Sequence, residues 1–357
     1  MTSILTADKN FYKPIGRTCF YNDTLWLALS GTGISFSFTG KDLSVVILGD
    51  DRVLSTEETV QIEKARIAVY VDGKRILEDM VTVSEKTYSI IHTDYVQTHQ
   101  VQIIKLSEAP MSIVGIRQLI TDEEATLLPT PEKKKKLEFI GDSITCGYGV
   151  DDDNPEHPFS TATEDVTKAY AYQTAQLLNA DYSMVSYSGY GIYSGYTEGE
   201  RSTSELVPPF YTKIGFSRGT IDGQSITMTD WNFHTYRPDV VVLNLGTNDD
   251  SYCQDFPERQ EEFTRLYTQF LQLIRKHNPD AHILCTYGMM NQRLMPYIKK
   301  ATDSYQAECK DENISFFPLA LQSESDGYGA DYHPSIITHT KTAKVLAEKI
   351  REIMKWE

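Results

Sequence analysis

The chain has 357 residues, with 34 basic and 50 acidic side chains and a formal charge of −16, a balance that disfavours binding to nucleic-acid phosphates or to an anionic membrane surface. Hydrophobic residues make up 40% and charged residues 24%, ordinary for a globular protein long enough to hold two domains. It has no run of about 18 apolar residues to supply a membrane span.

The opening MTSILTADKNFYKPIGR lacks the basic-then-apolar order of a signal peptide. Cys19, Cys146, Cys253, Cys285 and Cys309 are odd in number and form no CxxC pair, which indicates neither a zinc site nor a disulfide framework. The expectation is a cytoplasmic protein with reduced thiols, unless a leader has already been removed.

Residues 1–125 read as an all-β sandwich. TLWLALSG (24–31), GISFSFTG (33–40), DLSVVILGDD (42–51), RIAVYVDGKRIL (66–77), YSIIHT (88–93) and HQVQIIKL (99–106) are short apolar runs between turn residues. GISFSFTG alternates cleanly, as a half-buried antiparallel strand does. Asp72-Gly73 is a hairpin signal. Six or more such strands suggest a jelly roll, whose exposed edges allow a homo-oligomer. TDEEATLLPTPEKKKK ends the pattern, and 126–136 is assigned as a linker. Its four lysines are read as a solvated face rather than a nucleic-acid patch.

From Leu137 strands alternate with helices, so 137–357 reads as an α/β domain with a parallel sheet. Predicted strands are LEFIGDS (137–143), DYSMVSYSG (181–189), DVVVLNLGTNDD (239–250), AHILCTYG (281–288) and ISFFPL (314–319). Predicted helices are 168–180, 256–280 and 335–356. In such sheets functional groups gather at the carboxyl ends of the strands.

Polar clusters fall at those ends. Ser143 in Gly141-Asp142-Ser143 follows a buried strand, where a hydroxyl and adjacent helix amides meet. Gly189 follows the next strand, and a glycine there lets a backbone N–H approach a ligand. Asn248 in Gly246-Thr247-Asn248-Asp249 offers a side-chain amide, and Asp249 suits the turn that holds it. Each cluster alone is also a common turn. Of the eight histidines, His333 in ADYHPS stands out, in a turn before the last helix. His92, His99, His157, His234, His277, His282 and His339 have weaker contexts. Cys146, one helical turn from Ser143, reads as a packing residue.

Taken in order, Ser143 in GDS, Gly189, Asn248 in GTND and His333 before a proline resemble the four blocks of the SGNH (GDSL-type) hydrolases. The likeness spans roughly residues 137–357. The preceding β domain, the string GDSITCGYG and the ending ADYHPS are similar to carbohydrate esterase family 2, deacetylases of plant cell-wall polysaccharides such as acetylated xylan. The resemblance implies a flavodoxin-like three-layer αβα catalytic domain after a jelly roll. It implies a serine esterase acting on acetylated xylan or xylo-oligosaccharides without metal or organic cofactor. Ser143 would be the nucleophile and His333 the general base. Ser143, Gly189 and Asn248 would form the oxyanion hole.

One position departs from that pattern. The acid expected three residues before the histidine is Ala330, and Asp331 is only two before. Either Asp331 still orients His333, or a backbone carbonyl does so in a Ser–His dyad. Many aromatics lie near the blocks (Tyr148, Tyr187, Tyr190, Tyr193, Tyr196, Tyr332), and Tyr332 and Tyr190 are the candidate sugar contacts. Two other functions stay open: an esterase or thioesterase on other small acyl esters, and a non-catalytic carbohydrate-binding protein. A cytoplasmic location would make imported acetylated oligosaccharides the substrate.

Overall fold

A computed structural model of the chain describes residues 2–6 and 10–357. It divides into two compact units, one of residues up to 132 with 160–164 and 213–230, the other of 133–159, 165–212 and 231–357.

The first unit is all β. Its strands join in one ten-stranded antiparallel sheet. The runs 33–40 and 42–51 are not separate strands; they fuse into Gly33–Gly49, and 88–93 and 99–106 fuse into Glu85–Lys105. A break in alternation misled the sequence reading. Ile34, Phe36 and Phe38 are buried at even positions, and Leu43, Val45 and Ile47 at odd ones. The register shift at Gly40/Asp42 supplies the change of phase. A bulge bends a strand and re-aims its side chains, so both halves serve one core. Burying each of these side chains contributes about 1.5–3 kcal/mol. The Asp72-Gly73 hairpin forms as expected: Val71 pairs with Lys74, and φ values of 51° and 78° match a two-residue type I′ turn.

Two boundaries differ from expectation. Thr126–Pro129, assigned to the linker, is a strand paired to Gly33–Gly49, with Leu127 buried opposite Phe38. Segments 160–164 and 213–230 lie inside the expected α/β range yet bond to the β unit. Thr161 N–H donates to the Ile62 carbonyl, Asp51 N–H to that of Thr220, and Arg17 to that of Lys213.

The second unit has a five-stranded parallel sheet. In space its strands run Asp181–Ser186, Lys136–Gly141, Val240–Asn244, His282–Met289, Ile314–Leu321. This is the 2-1-3-4-5 order of flavodoxin-like sheets. Val240–Asn244 is buried throughout, as a central parallel strand must be. The helices expected at 168–180, 256–280 and 335–356 form as Tyr170–Leu177, Pro257–His277 and Ile336–Met354. Helix Met295–Cys309 went unread, although Pro296 opens it and Ile298, Ala301 and Tyr305 are its buried stripe. No helix of the described residues is long and apolar enough to cross a membrane. Gly141 is in register with both Ser186 and Asn244, so three strand ends open at one level.

Candidate active site

Ser143 starts a single helical turn, Ser143–Cys146, directly after the strand Lys136–Gly141. Asp142 caps it by accepting from Ile144 N–H at 3.1 Å. The Ser143 N–H lies in the first turn, where a helix has no internal acceptor. Burial pushes the Asp142 carboxyl up to about 7, with nearby Asp249 adding to the rise. Cys146 is fully buried and its thiol reaches the Ser186 hydroxyl at 3.2 Å, which fits a packing role.

His333 comes from the far end of the chain. Its Nε2 lies 2.9 Å from Ser143 Oγ. Its Nδ1 lies 3.0 Å from the backbone carbonyl of Asp331. A carbonyl only accepts, so Nδ1 carries the hydrogen and Nε2 presents its lone pair to the serine hydroxyl. Both ring nitrogens are thereby engaged, and binding a metal at either would break the pair.

The backbone around His333 is shaped for this contact. Asp331 (φ 52°) and Tyr332 (φ 55°) both adopt the left-handed conformation, at a cost of roughly 1–2 kcal/mol each. The strain is held by hydrogen bonds on either side. Ala330 N–H donates to Gly149 O at 3.1 Å, Asp331 N–H to His157 O at 3.0 Å, and Gly329 N–H to His333 O at 2.8 Å. Pro334 keeps His333 extended. Ala330 is fully buried. The carboxylate of Asp331 faces elsewhere, accepting from the Tyr148 hydroxyl at 3.3 Å.

The Tyr148 ring stacks on the imidazole, with centroids 3.8 Å apart and planes 21° from parallel. The sequence offered Tyr148 only as one aromatic among several; no local signal marks it as the neighbour of His333. His333 is 8% exposed, and burial pulls its pKa down to about 4, against a smaller upward pull from the Asp331 charge. The imidazole is therefore neutral, and able to accept a proton, at any pH well above 4.

Gly189 and Asn248 follow the two strands that pair on either side of Lys136–Gly141. Gly189 has φ +81°, and the position a side chain would take there is open space. Any other residue would be strained at this φ and would project into that space. Asn248 opens the helix Thr247–Cys253 and donates one amide hydrogen to Tyr190 O at 2.9 Å. A carboxamide nitrogen has two hydrogens, and the second is left for a ligand. Asp249 accepts from Ile192, Tyr193 and Ser194 N–H at 2.9, 2.6 and 3.0 Å.

The two tyrosines part company. Tyr190 is 4% exposed, its ring packed near Tyr187 (5.3 Å) and Phe210 (6.1 Å). It is not an open sugar platform, because its ring is buried among these aromatic neighbours. Tyr332 is 48% exposed, its hydroxyl on the Glu156 carboxylate and its ring 5.8 Å from Tyr328.

Comparison with known proteins places this geometry among relatives. Residues 139–340 match the GDSL-like lipase/acylhydrolase family, and residues 14–131 match the carbohydrate esterase 2 N-terminal family. A cellulase/esterase of Acetivibrio thermocellus, CelE, is 28% identical over 351 residues, or 97% of this chain. The chain spans only 39% of that protein's length. An acetylxylan esterase / glucomannan deacetylase of Cellvibrio japonicus is 27% identical over 99% of this chain and 92% of its own. Among solved structures, a family two carbohydrate esterase from Clostridium thermocellum, in complex with cellohexaose, superposes with a TM-score of 0.83. Its identity is 28%, with 97% of this chain and 100% of the other covered. The acetyl xylan esterase Est2A of Butyrivibrio proteoclasticus shares the fold at a TM-score of 0.89 and 24% identity, over 100% of this chain and 99% of the other.

Proposed function

This chain belongs to the GDSL-like lipase/acylhydrolase family, and on that premise we propose that it is a serine esterase that removes O-acetyl groups from acetylated xylan or xylo-oligosaccharides. The observation that carries the reading is the imidazole of His333 between Ser143 Oγ and the Asp331 carbonyl. In this reading Ser143 attacks the acetyl carbon while Nε2 takes its proton. The oxyanion is met by the N–H groups of Ser143 and Gly189 and by the free hydrogen of the Asn248 amide. The proton returns to the sugar oxygen as it leaves, and water then releases acetate from Ser143. Tyr332, exposed beside the base, is the surface proposed to receive a sugar ring. The carbohydrate substrate is supported by relatives named acetylxylan esterase / glucomannan deacetylase and by the neighbour in complex with cellohexaose.

The orienting group is the Asp331 carbonyl, which makes the site a dyad. Asp331→Asn keeps that carbonyl and tolerates the left-handed backbone. It is expected to lower kcat less than about tenfold, against roughly 10,000-fold for a triad acid. Steady-state kinetics on an aryl acetate decide this, and a loss in the thousands would return the role to the carboxylate.

We further propose that the β unit, residues up to 132 with 160–164 and 213–230, is a jelly-roll sandwich and that the other unit is the catalytic domain. The bulged long strands that serve one core support the sandwich. The cytoplasm is the proposed compartment, supported by five cysteines that form no disulfide. The test of the main reading is acetate release from acetylated xylo-oligosaccharides. Release that disappears in Ser143→Ala sustains it. No release from these or from an aryl acetate refutes it.

A further inference from the structure

We propose that Asp249 is the positioning residue of the oxyanion hole: its buried carboxylate grips the loop 189–196 and so sets where the Gly189 N–H and the Asn248 amide converge. It is fully buried, with no surface open to a substrate. The inference rests on the esterase reading above.

Three successive N–H groups, of Ile192, Tyr193 and Ser194, point at one carboxylate oxygen of Asp249, and Ile192 also reaches the other oxygen at 3.1 Å. Such a concave set of amides is a nest for an anion. The residue before it is cut to fit. A Cβ at Gly191 would lie 2.7 Å from the second carboxylate oxygen. The loop closes on itself where Tyr196 N–H donates to Gly189 O at 2.8 Å. The side-chain position at Gly189 faces open space, so nothing on that side props the residue. Its location is inherited from the loop that Asp249 holds. Asn248 precedes Asp249 in the same helical turn and donates to Tyr190 O. Two adjacent side chains therefore grip the loop on either side of Gly191, and both side-contributed oxyanion donors depend on that grip.

The grip is strongest when the carboxyl is ionised. Burial pushes Asp249 up to about 6, while its three N–H partners pull the other way. The titratable groups facing it are Asp142 from the nucleophile turn, Cys253 on its own helix, Tyr267 from Pro257–His277 and Tyr287 from His282–Met289. Burial raises the thiol and both tyrosines, which stay neutral at pH 6. Asp142, raised to about 7, holds its proton there. Asp249 itself is therefore the group that gains a proton as pH falls through about 6. His333 does so only near 4.

The test is kcat and KM on an aryl acetate across pH for the wild type and Asp249→Asn, with folding followed by circular dichroism. At pH 7 the variant is expected to lose about 10- to 100-fold in kcat, the cost of a misplaced donor, with KM changed less than about threefold. The wild type is expected to show an acid limb near 6 that the variant lacks, leaving the limb near 4. A folded variant with unchanged kcat, or with only KM raised, overturns the proposal alone. If the variant does not fold, the wild-type profile decides: a limb near 6 supports the proposal, and a single limb near 4 overturns it. A wild type inactive on every acetyl ester overturns the esterase reading and this inference with it.

Discussion

Ser143→Ala is expected to lower kcat on an acetyl ester by roughly five to six orders of magnitude, and His333→Ala by about the same. The reason is that the two side chains form one device. Without Oγ no acyl-enzyme forms, and without Nε2 the hydroxyl stays protonated at any pH the protein survives. The loss should therefore not add. The double variant is expected to match either single variant within about tenfold, with residual turnover from the oxyanion donors alone. KM should change little, since neither side chain makes a contact that is confined to ground-state binding. Both residues are nearly buried, Ser143 at 5% and His333 at 8%, so each variant needs a check of its thermal unfolding. Ser143→Ala removes one oxygen and leaves the Asp142 cap intact. His333→Ala opens a space beside the Tyr148 ring, and His333→Asn fills more of it. Losses that multiply in the double variant would mean that the two act in separate steps, which would break the dyad reading.

The pairing of Ser143 with His333 was legible because the polar clusters occur in order, each tied to a local signal. A strand end, a glycine or a small polar cluster marks Ser143, Gly189 and Asn248, and a proline follows His333. What could not be read was set by non-local geometry. Nothing in the sequence near Tyr148 says that its ring lies on an imidazole 185 positions away; that contact exists because Ala330 docks on Gly149. Tyr190 looks like a platform because it sits beside a candidate site glycine, yet its ring is buried with Phe210, twenty positions on, packed near it. The choice between carbonyl and carboxylate at Asp331 depended on two consecutive left-handed residues, which a spacing rule does not encode. The fold shows the same division. Parallel strands and their helices follow from runs of apolar residues, whereas the bulge at Gly40/Asp42 turned one long strand into two apparent ones.

Asn248→Ala is the prediction that separates transition-state stabilisation from simple assembly of the site. In the proposed mechanism the side chain has two tasks, one hydrogen on Tyr190 O and one for the oxyanion. Losing an oxyanion donor typically costs about 100- to 1,000-fold in kcat, or about 2.7–4 kcal/mol of the barrier. The negative charge exists only in the transition state, so kcat and kcat/KM should fall together while KM stays within about threefold. Asn248→Asp sharpens the argument. It has nearly the same shape, but its ionised oxygens would face both the Tyr190 carbonyl and the developing oxyanion, repelling each. It is expected to fall below the alanine variant at neutral pH and to recover in part as the carboxyl is protonated at lower pH, a slope opposite to that of the wild type. If instead the aspartate variant outperformed alanine at neutral pH, Asn248 would be acting as a spacer for the loop. The oxyanion would then depend on the backbone N–H groups of Ser143 and Gly189 alone.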